Sequence, residues 1–114
     1  MRTNLTIDHV LNHFRTNYNN SLFGYTPEID PMTGGLGWVN TNNLDLIIWA
    51  TPQWDGKDET PVDFNFSDGT YFEYCSISMC ERTLEEQLKL YFTILIMAMD
   101  YASTLKVELD EQES

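Results

Sequence analysis

The sequence predicts an α+β fold: a small antiparallel sheet of about three strands, with two helices packed on one of its faces. Three observations carry this. Apolar residues recur at helical spacing near the start of the chain and again towards its end. The middle of the chain carries strand-forming segments, one of which alternates with the period of two that a strand requires. Short turns, not long crossovers, join those segments, which favours antiparallel pairing.

The first helix is expected over Ile7 to Tyr18, where Ile7, Val10, Leu11, Phe14 and Tyr18 share one face. Thr6 is its predicted N-cap, and Asp8 sits in the first turn, where the helix dipole favours an acid. Residues 19 to 37 read as a long irregular stretch, because Pro27, Pro31, Gly34, Gly35 and Gly37 break any regular pattern. Its apolar residues, Leu22, Phe23, Tyr25, Ile29, Met32 and Leu36 among them, predict that it packs on the body.

Leu44 to Thr51 is almost continuously apolar and reads as a central strand or as one covered on both faces. Gly37 to Asn40 is a weaker candidate, either a short strand or an extension of it. Val62 to Ser67 alternates, with Val62, Phe64 and Phe66 on one side and Asp63 and Asn65 on the other. Asp68-Gly69 is a two-residue hairpin signal, and Thr70 to Ser78 returns as the partner strand. That turn sets Phe66 opposite Tyr71 and Phe64 opposite Glu73.

The second helix opens on a capping box, Thr83-Leu84-Glu85-Glu86, and is expected to run from Leu84 to about Lys106. From about residue 107 the chain reads as an acidic tail. Between Leu90 and Met99 the helix is apolar almost all round, so it needs cover on more than one side. The sheet supplies one cover; the first helix or a second copy of the chain supplies the other. Tyr91, Ile94, Met97 and Tyr101 are the candidate face for a homodimer.

A chain of 114 residues makes one domain, residues 1 to 114. Its N-terminal residues lack an apolar stretch, so no signal peptide is expected, and a cytoplasmic location follows. Reduced thiols then follow for Cys75 and Cys80, whose spacing matches no redox or zinc pattern.

Eighteen Asp and Glu face six Lys and Arg, a net charge of −12. Such a charge opposes direct binding to nucleic acid or to an anionic membrane, since both require a basic surface. It favours cationic partners. The acids concentrate between Asp55 and Glu73, where Asp55, Asp58, Glu59, Asp63, Asp68 and Glu73 accompany the single Lys57. Acids at alternate strand positions stand ~6.7 Å apart and can imitate a row of phosphates. Trp54, beside them, is the candidate aromatic anchor, because Trp is enriched at binding hot spots.

Catalytic signals are weak. His9 and His13 share a helical face at i, i+4, but their spacing lacks the Glu of a zincin motif. Gly34-Gly35-x-Gly37 lacks the Lys and Ser/Thr of a phosphate loop, and no strained nucleophile elbow surrounds Ser76 or Ser78. No cofactor motif is present. The expectation is therefore a non-enzymatic protein that binds and blocks a basic nucleic-acid-binding protein or nuclease. DNA-mimicking inhibitors of phages and mobile elements, such as anti-CRISPR or anti-restriction proteins, act in this way. The same physics fits an immunity protein or antitoxin that neutralises a basic toxin. A small metal-binding protein or enzyme using His9 and His13 is the reading from a different class.

Overall fold

The computed structural model describes residues 5–52, 61–67, 71–78 and 82–113, of which 61, 71–74, 77–78 and 103–113 are described by their backbone alone. The order is α1 (Ile7–Tyr18), β1 (Tyr25–Ile29), β2 (Leu36–Asn40), β3 (Asn43–Trp49), β4 (Pro61–Ser67), β5 (Tyr71–Ser78) and α2 (Leu84–Glu113). The fold is α+β, and its sheet is antiparallel with strands in sequence order, β1-β2-β3-β4-β5. It holds five strands, not the three expected.

β1 comes from the stretch that read as irregular, and β2 is the weaker candidate at Gly37 to Asn40, a separate strand that begins at Leu36. β1 pairs with β2 from Tyr25↔Asn40 to Ile29↔Leu36. Pro27 lacks an N–H to donate, which an edge strand tolerates. The breaks in the pattern are the turns that flank these strands. Phe23 (φ 52) and Gly24 (φ 79) form a tight turn closed by two hydrogen bonds between Leu22 and Tyr25, at 2.9 and 3.0 Å. Positive φ at both central positions is the signature of a hairpin turn, and it strains a bulky residue such as Phe23. At the other end of β1, the Asp30 carboxylate accepts from the Met32 N–H at 2.9 Å and the Thr33 hydroxyl at 3.0 Å, while Gly34 supplies the φ of 77 that the turn needs.

The β4–β5 register also differs from the expectation. It closes at Ser67↔Tyr71, one residue later than a two-residue turn at Asp68-Gly69 requires. Phe66 therefore pairs with Phe72, not Tyr71. An irregularity at Phe64/Asn65 then leaves Tyr74 as an extra residue, so Phe64 pairs with Cys75 and Asn65 with Glu73. One extra residue opposite a continuous strand is a β-bulge.

Both helices start where the sequence places them. The Thr6 side chain accepts from the His9 N–H at 3.2 Å, and His9 Nδ1 accepts in return from the Thr6 N–H at 3.2 Å. The Thr83 hydroxyl accepts from the Glu86 N–H and donates to its carboxylate, each at 3.1 Å. α2 does not end near Lys106 but continues to Glu113. Its last turns contain Leu, Lys, Glu and Gln, good helix formers, with no Gly or Pro to stop them. At 30 residues it is ~45 Å long, against ~26 Å for the eight-residue β5, so it outruns the sheet. Among the described residues no helix is long and apolar enough to cross a membrane.

Both helices pack on one face of the sheet, and aromatic contacts fix them there. Phe14 of α1 meets Trp38 of β2 edge-on, with ring centroids 5.2 Å apart. Phe92 of α2 meets the same indole at 6.1 Å, and Tyr91 packs on Phe64 of β4 at 5.4 Å. Trp38, Tyr91, Phe64, Leu95 and Ile48 are fully buried. The Trp38 indole N–H donates to the Tyr91 hydroxyl at 3.0 Å, and that hydroxyl donates to the carbonyl oxygen of Ala50. One buried phenol thus ties α2 to β2 and to the end of β3. Nearby, Gln87 accepts from the Leu5 N–H and donates to the Arg82 carbonyl, each at 2.9 Å, pinning the chain before α1 to the start of α2.

Two buried phenols differ in their bonding. Tyr91 is satisfied, whereas the buried Tyr25 hydroxyl makes no hydrogen bond of standard geometry, although Asn40 stands near it. Replacing Tyr91 by Phe should strand the Trp38 N–H and the Ala50 carbonyl, at a cost of about 2–3 kcal/mol. Tyr25→Phe should cost less than about 0.5 kcal/mol, since it removes an unpaired polar atom. Burial also pushes both phenols above their ordinary value, with the Trp38 bond opposing this in part at Tyr91. The fold thus favours the neutral forms; their contribution is intact below about pH 10 and is lost as pH rises through the folded values. Urea unfolding at neutral pH and above pH 10 should show a smaller alkaline loss in Tyr91→Phe than in the unaltered protein.

Candidate functional site

The face of the sheet opposite the helices has no covering element among the described residues, and its composition is unlike that of the buried face. On β3, Leu46, Ile48 and Ala50 are buried on the helix side, so Asp45, Ile47 and Trp49 alternate onto the other. Asp45 is exposed; Ile47 and Trp49 are half-buried. On β4, Val62, Phe64 and Phe66 are buried, while Asp63 is exposed and Asn65 and Ser67 are half-buried. Of the two readings of this apolar run, β3 is the central strand of the sheet, with helices packed on one face and no covering element on the other among the described residues.

The register assembles residues far apart in sequence into rows across this face. One row reads Glu28↔Gly37↔Trp49↔Asn65↔Glu73, from one edge strand to the other. A neighbouring row reads Thr26↔Val39↔Ile47↔Ser67↔Tyr71. Val39, which is buried, and the half-buried Ile47 and Trp49 form an apolar centre on β2 and β3. Glu28, exposed, lies two strands from Trp49, ~10 Å away, and Glu73 is the matching position on β5. Asp63 pairs with the exposed Ser76 and stands two residues from Asn65 along β4.

Gly37 makes the centre possible. A Cβ there would lie 2.9 Å from Trp49 Cζ3, 3.1 Å from Cε3 and 3.2 Å from Ile47 Cγ2. The indole therefore lies down over the bare backbone of β2, partly buried, with the sheet as its floor.

Charge is segregated by face. None of the five strands contains Lys, Arg or His. The basic residues of the described segments, His9, His13, Arg15, Arg82, Lys89 and Lys106, belong to α1, to α2 or to the short lead into α2. The bare face is thus a partly buried apolar centre with a polar rim whose charged residues are all acidic. This resembles the anatomy of a protein–protein interface, where aromatic residues sit at the centre and polar groups at the edge.

Of the acidic set expected from the sequence, Asp63 lands on this face and Glu73 at a position in its central row. Trp54, Asp55, Asp58, Glu59 and Asp68 lie outside the described residues. Glu28, Asp45 and Trp49 belong to the same face; the two acids were not singled out, and Trp49 was noted among the aromatic residues near the acids but passed over for Trp54. The spacing of Asp45, Ile47 and Trp49 could have marked them, but Leu46 and Ile48 between them hid the alternation.

The helical side offers a different environment. A groove of about 490 Å³ between α1 and α2 is lined by His13, Tyr18, Leu84, Leu88, Phe92 and Ile96, with Glu85 and Lys89 of opposite charge at its rim. His13 packs on Phe92 with ring centroids 4.8 Å apart, while His9 is committed to the cap of α1. The two histidines therefore serve separate contacts. Among the described residues no group of three His, Cys, Asp or Glu is placed to hold a metal ion. Cys75 is half-buried opposite Phe64, and Cys80 lies outside the described residues.

The helix face considered for a homodimer needs one correction. Tyr91 points into the core and cannot contribute to an outer surface. Ile94 is half-buried, and Met97 and Tyr101 are 51% and 44% exposed, Tyr101 stacking on Phe66 at 5.6 Å.

No protein-family model, curated protein or solved structure matches this chain.

Gly37→Ala should lift Trp49 from the sheet and cost about 1–3 kcal/mol, the usual range for overpacking. In a Trp49→Val background the same change should cost clearly less. Chemical denaturation of the four proteins measures this coupling directly.

Proposed function

We propose that this chain is a non-enzymatic, cytoplasmic protein that binds and blocks a basic nucleic-acid-binding surface on another protein, as a DNA-mimicking inhibitor does. The supporting observation is the cross-strand row Glu28–Gly37–Trp49–Asn65–Glu73, set in a sheet without a single basic residue. Acids at the edge strands steer a cationic partner towards the face, and the half-buried Trp49 offers an anchor once water is expelled. Asp63 lies on the same strand as Asn65 and adds to the field. The net charge of −12 raises the encounter rate with basic proteins and repels free nucleic acid.

Blocking needs no chemistry. A protein that occupies a basic channel excludes the nucleic acid that would fill it. Such an association is driven largely by charges at the rim, which are screened beyond ~8 Å at physiological salt, so it should weaken as salt rises.

The test is capture of partners from host lysate at low and high salt, identified by mass spectrometry, followed by titration against the purified partner's nucleic-acid binding. A basic nucleic-acid-binding protein should be retained at low salt, released at high salt and inhibited at one-to-one stoichiometry. Glu28→Lys with Asp63→Lys should weaken that inhibition roughly tenfold or more, ~1.4 kcal/mol, while Glu85→Lys on the helical side should leave it unchanged. Retention of a toxin with no nucleic-acid ligand would favour the immunity or antitoxin reading. Inhibition lost in Glu85→Lys but kept in the double variant would overturn the proposed face.

A further inference from the structure

We infer that the occupant of the open sheet face is a basic amphipathic helix, laid along β2 and β3 with its apolar stripe on the half-buried Ile47 and Trp49. This rests on the reading of the face as a site for cationic partners. It adds the partner's secondary structure and residue pattern.

Three features of the face select a helix. The first is spacing. Ile47 and Trp49 are two residues apart on β3, ~6.7 Å, and Val39 sits beside Ile47 on the adjacent strand. A helix repeats its apolar stripe every three or four residues, ~5.4 Å along its axis, close enough to the strand spacing for two successive stripe residues to meet Ile47 and Trp49.

The second is width. A helix is ~10 Å across, so one lying over β2 and β3 carries its flanking residues above the neighbouring strands. There they find Glu28 on β1 to one side and Asp63 on β4 to the other, both exposed. Lys or Arg at the flanks of the stripe would meet an acid on each side. The strands carry no Lys, Arg or His to repel them.

The third is the edge of the sheet. An extended peptide would add to an edge strand through backbone hydrogen bonds. β1 resists that role, because Pro27 removes a donor and Glu28 adds a charge. Binding on the face asks for no free backbone groups, which suits a helix whose own bonds are internally satisfied.

The experiment uses the full chain and three synthetic peptides of about twenty residues and equal charge. One has Lys and Leu arranged as an amphipathic helix, one has the same residues scrambled, and one is a Lys/Ser peptide without apolar residues. Binding is measured by anisotropy of the labelled peptides at low and physiological salt, and peptide helicity by circular dichroism. The patterned peptide should bind at least tenfold tighter than the scrambled one and gain helicity on binding. Trp49→Ala, checked for folding, should remove most of that advantage; Asp63→Lys, which leaves the apolar strip intact, should weaken all three peptides alike. Equal binding of patterned and scrambled peptides, insensitive to Trp49→Ala, would overturn the helix while leaving the acidic face as a cation site. No binding by any peptide at low salt would overturn both. Helical binding unaffected by either variant would place the site elsewhere and overturn the inference.

Discussion

The hydrogen-bonded chain from the Trp38 indole through the Tyr91 phenol to the Ala50 carbonyl is the constraint around which the molecule is arranged. It joins β2, β3 and α2 at one buried point. A buried polar group without a partner is costly, so the three elements can meet in few arrangements other than this one. The tilted and edge-on contacts of Phe14, Phe64 and Phe92 then fill the space around it. Because Trp38 faces α2, its strand neighbours Gly37 and Val39 must face the other way. The core therefore fixes what the outer face presents: a glycine that admits the Trp49 indole and a valine beside Ile47.

From this follows a division of labour between the two faces. The helix-packed face takes Trp38, Phe64, Phe66 and the aromatic residues of α1 and α2, and the basic groups of the described segments lie in the helices or the lead into α2. The bare face keeps a small apolar centre, and its charged residues are acids only. A sheet that merely needed solubility could carry both signs of charge at these positions, as most surfaces do. One sign alone raises self-repulsion within the fold and gives the face a field that reaches a partner before contact. The groove between α1 and α2 has no such field, since Glu85 and Lys89 oppose each other at its rim.

Much of this was legible in the sequence, but unevenly. Both helix starts could be read from Thr6 and Thr83, because capping depends on residues three apart. The alternation of Val62, Phe64 and Phe66 named the buried face of β4. β1 was not legible and β2 only weakly so, because Pro27 and Gly37 look like breakers until their places are known: one on an edge, the other beneath an indole. The end of α2 was missed because an acidic composition resembled a tail, although nothing in it stops a helix. The site was legible only in part. Asp63 and Glu73 stood in an acidic segment, but Glu28 and Trp49 reach them through strand register. Register depends on turns and bulges, and here the closing pair Ser67↔Tyr71, one residue later than a two-residue turn gives, decides that Glu73 belongs to the row of Trp49.

The central claim is that the acidic sheet face, not the helical side, is where this protein meets its partner. Hydrogen exchange of the full chain with and without a bound basic partner tests it most directly. The account predicts slowed exchange in β2, β3 and β4 and no change in α1 or the first turns of α2. Protection concentrated on α1 and α2 around His13 and Phe92, with the strands unaffected, would contradict it.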